Sequence, residues 1–130
     1  MKWREHAGLL LRKAAQDEYV LDRLLDDPGA PTEVFGFHAQ QAAEKLLKSL
    51  LADHRVAFPH THRIIELLDL LPEAGLTVPN ELQDLRTLTP FAVEFRYDVL
   101  PEEKEAPLNT LLTRQTIARP RAWVESHLTR

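Results

Sequence analysis

The stretch Phe35–Leu51 limits the fold more than any other part of the chain. At about 100° per residue, Phe35, Ala39, Ala42, Ala43, Leu46, Leu47, Leu50 and Leu51 fall on one half of a helical wheel. Gln40, Gln41, Glu44, Lys45 and Lys48 fall on the other half. Half a wheel of apolar surface is wider than a helix lying on one neighbour needs, so this helix is expected to touch about two or three others. Alanine at 39, 42 and 43 keeps its surface low and permits close approach. The polar ridge is compact and mixed in sign. By residue type it reads as a solvated face, with Glu44 and Lys48 as an i,i+4 pair contributing roughly 0.2–0.5 kcal/mol.

The segments on either side supply those neighbours. From Lys2 to near Asp26 the pattern is helical, with Trp3, Ala7, Leu10, Leu11, Ala14, Leu21 and Leu25 on one face. Asp17 and Glu18 project into that face between Ala14 and Leu21, where an unpaired charge is costly. Either the helix meets water at this turn or the acids are paired and partly buried. Asp27-Pro28-Gly29-Ala30-Pro31 ends the first helix, and Thr32 suits the N-cap of the central one. Phe58-Pro59 forms an apolar elbow after the central helix fades. Thr61 then caps a third helix, expected over 62–71, with Ile64, Ile65, Leu67, Leu68 and Leu71 inward.

Residues 72–79 read as a loop with Leu76 and Val78 tucked onto the core. A fourth helix is expected over 80–97, with Leu82, Leu85, Leu88, Ala92 and Val93 inward and a kink or interruption at Pro90. The ridge Leu85, Thr89, Ala92 places Arg96 on its apolar side. An acidic, proline-flanked loop over 98–107 leads to a last helix over 108–128. There Leu108, Leu111, Leu112, Ile117, Ala118, Trp123 and Val124 mark the apolar side, and Pro120 should kink or restart the helix. No stretch alternates with period two. The fold class is all-α, an up-and-down bundle of about five helices forming one domain over 1–130.

Charge and residue usage narrow the function. A net charge of −4 argues against a protein that coats nucleic acid along its whole surface. No cysteine means no disulfide, no thiolate metal site and no cysteine nucleophile, which fits a cytoplasmic location. The N-terminus lacks the apolar run of a signal peptide or a membrane span. The four glycines are scattered, so there is no phosphate-binding glycine loop. His60 and His62 lack a carboxylate at metal-ligand spacing and read as loop polarity and a helix start. Neither a metal nor a cofactor is expected. Ser49 and Ser126 have no nucleophile context. Chemistry, if present, falls to Arg96, Asp17, Glu18 and a histidine folded in from elsewhere.

The stretch FHAQQAAEKLLKSLLADHRVAFPHTHRIIELLDLL resembles the minimal prokaryotic HEPN family. Gln40, Gln41, Ala42, Ala43, Glu44, Lys45, Leu47 and Lys48 match its alanine-rich second helix. Pro59, Thr61 and His62 match the link that follows. Asp17 stands where the first helix of the family carries a recurrent acid, and Arg96-Tyr97 resembles the Arg-Tyr that ends its fourth helix. The resemblance implies a compact helical bundle that forms a homodimer, binds nucleotides, and pairs with a minimal nucleotidyltransferase in toxin–antitoxin systems. It places a functional cleft around Arg96, Tyr97, Asp17, Glu18, Glu44 and Lys48.

Many members of that family are metal-independent ribonucleases whose arginine is followed at short spacing by a histidine. Here Tyr97-Asp98-Val99-Leu100-Pro101-Glu102-Glu103 follows Arg96, with no histidine and an acidic character that repels phosphate. The motif is incomplete, so no catalytic residue is assigned and the reading leans away from an enzyme. A non-catalytic nucleotide-binding and interaction module is the first reading. A ribonuclease toxin with a relocated histidine, His38 or His62, is the second. Arg96 is expected to pair with Asp17 or Glu18.

Overall fold

The computed structural model describes residues 2–91 and 109–128. Among these the chain is all helical: α1 Lys2–Leu24, α2 Thr32–Asp53, α3 Ile64–Leu70, α4 Asn80–Gln83 and α5 Thr110–His127. Two 3₁₀ segments, Leu71–Ala74 and Asp84–Phe91, follow α3 and α4. No strand occurs among the described residues. The all-α bundle expected from the periodicity is the fold found. Ala92, Val93, Arg96, Tyr97 and Leu108 lie outside the described residues.

Helix α2 is the axis. It packs against α1, α3, α5 and the 3₁₀ segment Asp84–Phe91. All eight positions of its apolar half-wheel are buried, each at 1% exposure or less. Ala39, Ala42 and Ala43 let α1 come close enough for Ser49 Oγ to donate to the backbone carbonyl of Ala7 at 2.8 Å. That bond removes the cost of enclosing a hydroxyl between two helices. Ala7, Ala14 and Leu21 of α1 are buried as the wheel requires, whereas Trp3 is 40% exposed.

Helix ends depart from the expected caps. Pro31, not Thr32, holds the N-cap position of α2; Thr32 is already helical and no side chain caps the end. Proline sets φ near −65° without a donor, which suits the start of a helix. Helix α3 begins at Ile64 with Arg63 as its N-cap, and Thr61 Oγ1 instead accepts from Arg63 N at 3.0 Å. That contact spans two residues, so Thr61 makes a local turn ahead of the helix. At its far end α2 closes with paired backbone bonds, Val56 N to Leu51 O at 2.9 Å and Arg55 N to Ala52 O at 3.0 Å. This closure needs a left-handed residue, and Arg55 takes that role at φ 62°.

The expected fourth helix is one short α turn followed by a 3₁₀ stretch up to Phe91. Leu82, Leu85 and Leu88 are buried as expected. Their spacing of three suits this geometry, since in a 3₁₀ helix residues i and i+3 eclipse on one side. Pro90 also withholds the N–H that an α-helix would direct at Arg86 O.

Helix α5 is capped by Asn109, whose side chain accepts from Leu112 N at 2.9 Å. It runs through Pro120 without restarting. Its buried side is Thr113, Ile117, Pro120 and Val124, while Leu111 and Leu112 are 57% and 58% exposed. Ala118 is exposed as well. The expected apolar side was therefore rotated, because proline itself packs inward and Arg114 and Arg121 take adjoining positions facing α1.

Candidate functional site

Among the described residues three carboxylates lie inside the bundle, and each is held by cations or donors. Asp17 and Glu18 of α1 are 7% and 5% exposed, and Glu44 of α2 is 4% exposed. Asp17 faces α2, where Lys45 Nζ donates to it at 2.7 Å and His38 Nδ1 at 2.9 Å. Glu18, its sequence neighbour, faces α5. There Arg121 Nε donates to it at 2.6 Å, with Arg114 Nη1 at 3.6 Å. Two adjacent acids thus tie α1 to two different helices, since successive helical side chains diverge by about 100°. The paired and buried alternative for these acids is the one found.

The network continues outward on the α1–α5 side. Arg114 Nε donates to Asp22 at 2.6 Å, and Arg121 Nη1 donates to Glu125 at 2.8 Å. The Arg114 hydrogen bond holds the Asp22 carboxyl below its ordinary value against a smaller opposing effect of burial. The same bond raises Arg114.

Glu44 organises the other side of α2. Lys48 Nζ donates to it at 2.8 Å, His62 Nδ1 at 3.1 Å and Gln40 Nε2 at 3.2 Å. Gln40 also donates to His62 O at 2.8 Å, which pins the 57–62 link over the helix. Gln40 is fully buried, and its Oε1 has no donor among the described residues. The polar ridge of α2 is therefore no solvated face. The expected Glu44–Lys48 pair is present, but as the inner part of a covered network.

Lys48 leads from this network to an open cleft of about 430 Å³. Trp3, His6 and Leu10 of α1 form one wall; Ala57, Phe58, Pro59 and His60 form the other, with Lys48 also lining it. The His6 and Phe58 rings stack with centroids 6.1 Å apart and planes 26° apart. The Lys48 ammonium lies 5.8 Å from the Phe58 centroid, within cation–π range. The left-handed Arg55 turns the chain off α2 and into this wall, a conformation that costs a non-glycine residue roughly 1–2 kcal/mol.

Of the residues singled out from sequence, Glu44 and Lys48 meet beside this cleft. Asp17 lies on the same helix pair but binds Lys45, and Glu18 belongs to the α1–α5 junction. Arg96 and Tyr97, and with them the expected pairing of Arg96 to either acid, lie outside the described residues. Trp3, His6, Phe58 and His60 were missed as site residues. Phe58-Pro59 was legible as an apolar elbow, but nothing in the sequence places Trp3 and His6 opposite it. No group of three or more metal-binding side chains occurs among the described residues, and no helix there is long and apolar enough to cross a membrane.

The family model described as HEPN domain matches residues 7–118. No curated protein and no solved structure matches the chain significantly.

Proposed function

The chain belongs to the HEPN domain family, and from that premise we propose that it is a non-catalytic HEPN module that binds a nucleotide, forms a homodimer and docks on a minimal nucleotidyltransferase in a toxin–antitoxin-type pair. The observation that carries the non-catalytic part is the state of the imidazoles and their neighbouring cations. A phosphoryl-transfer site without metal needs an imidazole beside a cation free to take up phosphate charge. His38 is held by Asp17, and the adjacent Lys45 is bound to that same carboxylate. His62 is held by Glu44, and the adjacent Lys48 is bound to that carboxylate. Each cation is directed at a structural acid, which disfavours both relocated-histidine sites.

The ribonuclease reading has one supporting observation: His62 is half exposed and oriented by a buried glutamate, as a general base often is. Incubation with total RNA without added metal separates the two readings. Intact RNA, together with co-purification of a nucleotidyltransferase encoded beside this chain, is the expected result. RNA fragmentation that disappears in His62→Ala would overturn the non-catalytic reading.

A further inference from the structure

The first half of α1 carries charge that the bundle does not use. Residues 2–13 hold Lys2, Arg4, Arg12 and Lys13 against a single acid, Glu5, in a chain of net charge −4. All four cations are exposed, and none makes an ion pair among the described residues. The acids further along the helix differ: Asp17, Glu18 and Asp22 are each paired. Beside the unpaired cations lies the cleft of about 430 Å³, whose α1 wall is Trp3, His6 and Leu10. Lys2 and Arg4 flank Trp3, and Lys13 stands one turn beyond Leu10 on the same ridge. Ala57, Phe58 and Pro59 make the opposite wall apolar. Lys48 also lines the cleft, but its ammonium is bound to Glu44 at 2.8 Å, so its charge is already met. Trp3 is left 40% exposed at the opening. An apolar hollow with charge on its rim is the make-up of a protein–protein contact, and tryptophan and arginine are the side chains that most often anchor one.

We propose that this face docks an acidic segment of another protein, with one large apolar side chain in the cleft and carboxylates on Lys2, Arg4 and Lys13. Lys2 and Lys13 stand about 16 Å apart along the helix axis, a length that an extended segment of about five residues covers. The acids therefore lie on both sides of the anchor. The anchor itself is uncharged, because Glu44 takes the one ammonium in the cleft. A concave wall suits a peptide better than a flat membrane surface. Leu10, Ala57 and Pro59 meet a hydrocarbon side chain better than a nucleic-acid base, whose polar edges they leave unpaired. The nucleotide, dimer and nucleotidyltransferase contacts proposed above are not assigned to this face.

Isothermal titration of the full chain with an end-blocked peptide of about five residues, a tryptophan between paired glutamates, tests this. Control peptides carry alanine for the tryptophan or lysine for the glutamates, and a short oligouridine is the nucleic-acid control. The acidic tryptophan peptide should bind at least about tenfold more tightly than any control, and Trp3→Ala should weaken it by about tenfold. Lys13→Glu should also weaken it, by less at high salt, which screens charges on a rim. Arg4→Glu repeats the charge test at the other end of the cleft. These side chains are exposed, and unchanged melting curves establish that the fold is kept. No binding by the wild type overturns the proposal, as does equal binding of the lysine peptide. Unchanged affinity in Trp3→Ala, or in both charge variants, overturns the site. Oligouridine binding more tightly than the peptide gives the face to nucleic acid and overturns the peptide reading.

Discussion

A carboxylate taken out of water needs donors on its lone pairs, and Glu44 has Lys48, His62 and Gln40 within hydrogen-bond distance. Removing the ammonium while keeping the alkyl stem, as in Lys48→Met, leaves this buried acid with its two other donors. The expected cost is about 1–3 kcal/mol, that of a buried polar group losing one partner. In Glu44→Gln the charge that needs Lys48 is gone, so the double variant should lose less than the sum of the singles. A coupling of about 0.5–3 kcal/mol from denaturant melts is expected; strictly additive losses would show that the pair stabilises nothing. This role of Glu44 was not legible in the sequence. A helical wheel separates apolar from polar positions, but it does not show that the 57–62 link covers the polar side. Asp17 and Glu18 were more legible because they interrupt an apolar face, which water could not easily reach. Their separate partners, Lys45 and Arg121, depend on how α1 crosses α2 and α5, and that crossing leaves no local mark.

At the level of elements, α2 is where periodicity and packing agree. Leu46, Leu47, Leu50 and Leu51 are fully buried, with helices or 3₁₀ turns on several sides. Truncating Leu46 to alanine should destabilise the fold by about 2–5 kcal/mol, because neighbours held by other helices can collapse only partly into the cavity. A loss under about 0.5 kcal/mol in denaturant melts, the range of surface changes, would mean that α2 is not the centre of the core. The shorter elements were harder to read for identifiable reasons. Leu82, Leu85 and Leu88 recur every three residues, a spacing compatible with both an α ridge and a 3₁₀ edge. Pro120 is expected to kink or restart α5. The structure keeps the helix whole because Arg114 and Arg121, one on each side of the proline, are both drawn to Glu18 of α1. A local rule against proline was outweighed by two long-range ion pairs that flank it.

Across the bundle, some apolar side chains are left in water that the described helices do not cover. Leu111 and Leu112 on the first turn of α5 and Tyr19 on α1 are each more than half exposed. Arg114 to Asp22 and Thr110 Oγ1 to Leu25 O, at 3.3 Å, bind the start of α5 to the end of α1. Leu111 and Leu112 directly follow Thr110 at this junction, and Tyr19 lies one helical turn before Asp22 on α1. The ion pairs around the junction also fix its shape, since Arg114 holds both Asp22 and Glu18. Single exposed leucines are ordinary, but adjacent ones beside a rigid, charge-ringed junction suit a self-complementary contact between two copies. The homodimer proposed for this HEPN chain is accordingly expected to form through the α1–α5 flank. Light scattering at micromolar concentration should give twice the chain mass of 14.9 kDa. Leu112→Glu should return the monomer mass without lowering the helical signal in circular dichroism, because that side chain is 58% exposed in the single chain. A wild-type monomer refutes the dimer. A Leu112→Glu variant that remains dimeric keeps the dimer and moves its interface elsewhere, since a carboxylate facing its symmetry mate across an apolar contact would be desolvated beside a like charge.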